Sequence, residues 1–154
     1  MRYLMIDRID ELRKLDYATG TKCISLSDDC FEHHFPGQPV YPGALLIESM
    51  AQLGGALLEI SLLDEREHRP RCVLSSVKAR FRDFVHPGDT LTLRADVVSH
   101  HDEDALVRVV VRRGEDRVAE AEIIYVILRV DDDALEASRR QFLDVVTRGT
   151  RMVP

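Results

Sequence analysis

A chain of 154 residues suits one domain with one core. Hydrophobic residues make up 45% and charged residues 31%, a soluble globular balance with no internal repeat or low-complexity tract. The net charge of -6 argues against broad nucleic-acid binding, which needs a basic surface, and no apolar run reaches the roughly 18 residues that span a bilayer. Cys23, Cys30 and Cys72 are odd in number and form no CxxC pair, and the N-terminus lacks an apolar leader. A reduced, cytoplasmic setting with inert thiols is expected.

In chain order, residues 1–20 are mixed around the apolar cluster Tyr3-Leu4-Met5-Ile6, and 21–27 predict a short strand with Ile24 and Leu26 on one side. Residues 28–43, rich in Pro, Gly, His and acids, read as a loop. Residues 43–63 are apolar on nearly every face, which predicts a helix buried on most sides, with Pro42 just before it where a missing N–H costs nothing. Four strands follow at 71–84, 90–98, 105–112 and 117–129, separated by polar turns. In the first of them Val73, Val77, Ala79 and Phe81 are expected on one face, and Lys78, Arg80 and Arg82 on the other. Residues 131–148 predict a last helix, with acids at its start and Gly149 past its end. This order is α+β: an antiparallel sheet wrapped around a central helix, plus an extra C-terminal helix.

The informative stretch is His33-His34-Phe35-Pro36-Gly37-Gln38-Pro39-Val40-Tyr41-Pro42-Gly43, running into the helix that carries Glu48. Its prolines and glycines impose a stiff path, suited to holding a side chain in place or simply to leading into a helix. Glu48 sits in the most apolar segment, and a carboxylate there must be paired, or protonated with a raised pKa and usable as a general acid. His34 is its natural partner, since a neutral imidazole can take a proton at cellular pH. Amide groups at Gly43, at the positive end of the helix, could hold a thioester oxygen and stabilise an enolate.

The run His34-Phe35-Pro36-Gly37-x-Pro39-x-x-Pro42-Gly43, with Glu48-Ser49-Met50-Ala51-Gln52 after it, resembles the signature of the β-hydroxyacyl-acyl carrier protein dehydratases of the FabZ type. Tyr3 to Leu12, Lys78 to Arg82 and Pro87-Gly88-Asp89 extend the similarity over roughly residues 3–128. The resemblance implies a hot-dog fold over 1–130, with 131–154 a C-terminal helical extension of the same domain. It implies dehydration of a (3R)-hydroxyacyl thioester to the trans-2-enoyl thioester in fatty-acid or related lipid or polyketide biosynthesis. His34 would remove the C2 proton and Glu48 would protonate the leaving hydroxyl. Gly43, Tyr41, Gln52 and Phe81 would meet substrate; Gln52, one helical turn past Glu48, either supports the site or is a buried amide satisfied by backbone. A glutamate in place of an aspartate favours this type over the dehydratase that also isomerises the double bond.

The resemblance also implies a homodimer whose subunits share each active site, which allows a trimer of dimers. It implies no cofactor beyond the phosphopantetheine arm of an acyl carrier protein. Lys78, Arg80 and Arg82 are candidates to dock that acidic partner, or else form a solvated strand face. No metal-ligand spacing appears, and neither a nucleic acid nor a membrane is an expected partner. His68, His86, His100 and His101 read as surface residues. His33, Tyr41 and the long C-terminal tail depart from the family pattern, and a specialised pathway fits as well as a housekeeping one. An acyl thioesterase and a non-catalytic acyl-thioester-binding subunit are the alternative readings.

Overall fold

The computed structural model describes residues 3–63 and 70–154. His68 lies outside the described residues. His86, His100 and His101 are exposed, as expected.

Two strands precede the His34 loop. β1 (Arg8–Arg13) and β2 (Tyr17–Cys23) form an antiparallel hairpin. The strand expected at 21–27 therefore begins earlier and ends at Cys23. Beyond it Ile24 is buried, but Leu26 is exposed. The serines and Asp28 explain the stop: Ser27 N–H donates to Ser25 Oγ, and Ser25 N–H donates to Asp28 Oδ2. Such local side-chain bonds compete with the strand ladder.

α1 (Gly43–Leu62) has 20 residues, buried without a break from Ser49 to Glu59 but more open over its first turn and at Glu48. Contrary to the expectation that no run is long and apolar enough, it could cross a membrane by length and composition despite Glu48 and Glu59, yet most of it is buried inside the sheet. The sheet supplies that burial with β3 (Pro70–Phe81), β4 (Thr90–His100), β5 (Asp104–Arg113) and β6 (Asp116–Arg129). Leu91, Leu93, Val107, Val109, Ile123 and Tyr125 point inward by period-2 alternation and pack with Leu53, Ala56 and Leu57 of α1. Fit is close where Tyr125 crosses α1. Its hydroxyl donates to Ala51 O at 2.8 Å, and a Cβ at Gly54 would lie 2.5 Å from that hydroxyl.

The strand order is β3-β6-β5-β4-β2-β1-β7, antiparallel except where β7 (Arg151–Val153) joins β1 in parallel. This is the expected hot-dog arrangement, a sheet rolled around one helix. α2 (Asp133–Val146) starts on the Asp132 side chain, which accepts from the N–H groups of Ala134 and Leu135. Val146 anchors its end in the core, and Thr150 Oγ1 donates to Ile9 O as the chain turns into β7.

One expected face is wrong. The β3–β6 register slips between Leu74 and Ser76, so Val73 pairs with Val126 while Val77 pairs with Ile123. Ile123 points inward and Val126 outward. Val73 therefore lies on the opposite face from Val77, because the irregularity reverses the alternation there.

Candidate active site

The path from β2 to α1 holds His34 by backbone bonds at short range. His34 N–H donates to Cys30 O after the short 3-10 turn Asp29–Glu32, and Val40 N–H donates to His34 O at 3.0 Å. The peptide joining His34 to Phe35 is cis, and the two rings stack with centroids 4.0 Å apart. Residues 83–89 brace the far end of the loop. Tyr41 N–H donates to Val85 O at 2.7 Å, and the His86 ring nitrogen Nδ1 lies 2.9 Å from Pro39 O.

The decisive contact is His34 Nδ1 to Val40 O, 2.7 Å. A carbonyl oxygen only accepts, so Nδ1 carries the hydrogen. In the neutral ring Nε2 then bears the lone pair and can accept a proton from substrate.

Glu48 is half-buried rather than enclosed, because it lies on the side of α1 that the sheet leaves open. Its carboxylate accepts from Gln52 Nε2 at 2.9 Å. The same nitrogen donates to Tyr3 O at 3.0 Å, and Gln52 Oε1 accepts from Met5 N–H at 2.8 Å. Gln52 thus ties the N-terminal segment to the carboxylate. The Tyr3 hydroxyl is also close, and the negative charge of Glu48 is the main reason its pKa is raised.

Glu48, Gln52 and Tyr3 line a groove of about 500 Å³ together with Val73, Leu128 and residues of α2. His34 is not among the described residues of that groove. Tyr41 is also apart from it: buried, tilted against Phe31, and lining a smaller cavity of about 260 Å³ beside Lys22 and Cys30. Burial pushes the Tyr41 hydroxyl up to about 12. Gly43 and Phe81 do come together, since a Cβ at Gly43 would lie 3.0 Å from the Phe81 ring. The ring covers the start of α1, which carries no capping side chain.

Lys78 and Arg80 sit on the outer face of the sheet, in a groove with Arg108 and Arg117. Arg82 pairs with Glu120 at 2.5 Å, and Arg108 pairs with Glu122 at 3.1 Å. The patch is basic with acids set into it. Among the described residues no three His, Cys, Asp or Glu side chains group as metal ligands.

Sequence reasoning passes over Glu59. It is only 2% exposed, and its carboxylate accepts from Arg139 Nε at 2.6 Å and from Cys72 N–H at 3.0 Å, with Arg71 at 3.8 Å. An acid inside the apolar 43–63 segment is the same signal that singles out Glu48. The signal alone cannot separate a groove carboxylate from one that locks helix to helix, because the partners of Glu59 lie on β3 and α2.

The FabA-like domain model matches residues 1–125. The 3-hydroxyacyl-[acyl-carrier-protein] dehydratase FabZ of Levilactobacillus brevis is 35% identical over 130 residues, which is 84% of this chain and 86% of the relative. The enzyme of the same name from Caulobacter sp. strain K31 is 34% identical over 126 residues, 82% of this chain and 77% of its own. Among solved structures, thioesterase HI1161 from Haemophilus influenzae superposes with a TM-score of 0.60 over 76% of this chain and 75% of its own. Its identity is 14%, so that likeness is one of fold and does not favour thioester hydrolysis.

Proposed function

The chain belongs to the FabA-like family and is a 3-hydroxyacyl-[acyl-carrier-protein] dehydratase, and we propose that His34 and Glu48 perform the elimination, each from a different subunit of a homodimer. His34 Nε2 takes the C2 proton beside the thioester. The C2–H electron pair becomes the C2=C3 double bond, and the C3–O bond breaks. Glu48 acts as the acid and gives a proton to the departing hydroxyl, which leaves as water. The products are water and the trans-2-enoyl thioester, and the proton on His34 returns through solvent to Glu48. Gly43, under the Phe81 ring at the positive end of α1, stabilises the enolate-like oxygen. No electron leaves or enters the substrate, so the step needs no redox cofactor.

The observation that carries this reading is the bond from His34 Nδ1 to Val40 O, which leaves Nε2 as the base. Two features support sharing of the site. The Glu48 groove has no His34 of its own chain among its described residues. In addition β3 is a 12-residue strand at the sheet edge with Leu74, Val77 and Phe81 partly exposed, a natural surface for a second copy. Lys78, Arg80 and Arg82 dock the acidic carrier protein while its phosphopantetheine arm reaches the site, in a cytoplasmic setting.

The test is interconversion of 3-hydroxyacyl and 2-enoyl carrier-protein thioesters, followed by mass spectrometry. His34→Ala and Glu48→Gln should each lose about 10² to 10⁴ in turnover. Mixing the two inactive variants under conditions of subunit exchange should restore activity, because each mixed dimer rebuilds one complete site. Near-normal turnover in either variant refutes the roles, and no recovery on mixing refutes the shared site.

A further inference from the structure

α2 lies beyond the residues that the family model matches, yet it forms one wall of the groove that contains Glu48. Its apolar residues divide into two sets. Val146 is buried and both Leu143 and Phe142 pack against the core, whereas Leu135 remains 56% exposed; Leu135, Ser138 and an edge of Phe142 line the groove. Across from them stand Val73 and Leu128, also large, apolar and exposed.

The position of this wall is set by charge. Arg139 binds the buried Glu59 of α1, and Arg71 of β3 binds both Glu59 and, at 3.0 Å, Glu136 of α2. The Arg139 guanidinium also lies 4.2 Å over the Phe142 ring, which fixes that ring beside the groove. α2 is therefore tied to α1 and β3 at the level of the groove. Both guanidiniums are matched by Glu59 and Glu136, so this end of the groove offers an anionic ligand little that is unpaired.

We propose that α2 selects the substrate by its tail: Leu135, Ser138 and Phe142 contact the part of an uncharged, medium-length acyl chain that lies beyond the reacting carbons at Glu48. From Leu135 to Phe142 the wall runs about 10.5 Å at 1.5 Å per residue, the reach of such a chain and far beyond that of a four-carbon one. The occupant is an acyl chain because the groove is continuous with Glu48 and, apart from Ser138 and the two paired arginines, its lining there is aliphatic or aromatic. The inference rests on the dehydratase reading above.

The test uses the full-length protein with Leu135→Asp, Ser138→Asp and the conservative Leu135→Ile. Both replaced side chains are at groove positions that leave the core untouched. Turnover of C4, C8 and C10 2-enoyl carrier-protein thioesters is compared as the ratio of kcat/KM for C10 to that for C4. Each aspartate should lower the ratio tenfold or more, since only the long chain meets the new charge, and Leu135→Ile should keep it within about twofold. Binding of inert S-decyl- and S-butyl-pantetheine gives the same ratio without chemistry. An unchanged ratio in both aspartate variants, with the wild type active, overturns the role of α2. The same unchanged ratio with a weakened dimer also overturns it, and assigns Leu135 to contact between copies. A wild type that shows the thioether preference but no interconversion overturns the dehydratase reading and leaves the wall standing.

Discussion

Replacing Gln52 with alanine tests whether the amide organises the Glu48 carboxylate or merely fills space. The residue is 9% exposed and makes three bonds, to Glu48 Oε1, Tyr3 O and Met5 N–H. Each contributes about 0.5–1.5 kcal/mol net, and more where the partner is charged or left buried without another. The Met5 N–H becomes such an orphan, because Met5 is itself buried. The higher helix propensity of alanine returns only a few tenths of a kcal/mol. The expected loss of unfolding free energy is about 3 kcal/mol, measured by urea denaturation at constant m-value. Turnover should fall on the order of tenfold to a hundredfold even under conditions where the variant is fully folded, because Glu48 loses the donor that holds its rotamer. A loss below about 1 kcal/mol together with unchanged kcat would refute the reasoning, and would make Gln52 a bystander whose partners re-pair with water.

Glu59→Gln keeps the acceptor for Cys72 N–H and removes the charge between Arg139 and Arg71. Breaking a buried pair costs about 3–5 kcal/mol, but both guanidiniums keep some solvent and Arg71 keeps Glu136, so about 2 kcal/mol is expected, with faster amide exchange in α2. A loss under about 0.5 kcal/mol would mean that α2 is held by packing alone. Tyr41→Phe addresses alkaline stability. The folded-state pKa of about 12 lies above the ordinary value of 10.0, so the neutral phenol stabilises the fold below pH 10 and that contribution disappears as pH rises through 12. Relative to its own value at pH 9, the variant should retain about 1–2 kcal/mol more at pH 11 than the wild type does. Some alkaline slope should persist, because burial raises Tyr125 in the same direction. Parallel pH profiles for the two proteins would contradict the assignment.

Much of the architecture is legible in the sequence because it depends on local periodicity. Alternation in β4, β5 and β6 matches the observed strands closely, and α1 starts at the residue after Pro42 because an all-round apolar run can only be a buried helix. The prolines and glycines between His34 and Gly43 mark a stiff loop before any fold is known. What the sequence leaves open depends on partners far along the chain. The slip at Leu74/Ser76, which moves Val73 to the outer face, is a property of pairing with β6. β7, with three residues, has too little pattern to detect and exists because β1 offers a parallel edge. Glu48 and Glu59 stand in the same apolar helix and look alike as letters. Tertiary structure decides between them, since the open side of α1 gives Glu48 a groove and Gln52, while β3 and α2 close two arginines over Glu59. Period and turn chemistry determine which elements form, whereas the environment of a charge is decided by chain segments brought together only when the sheet rolls around the helix.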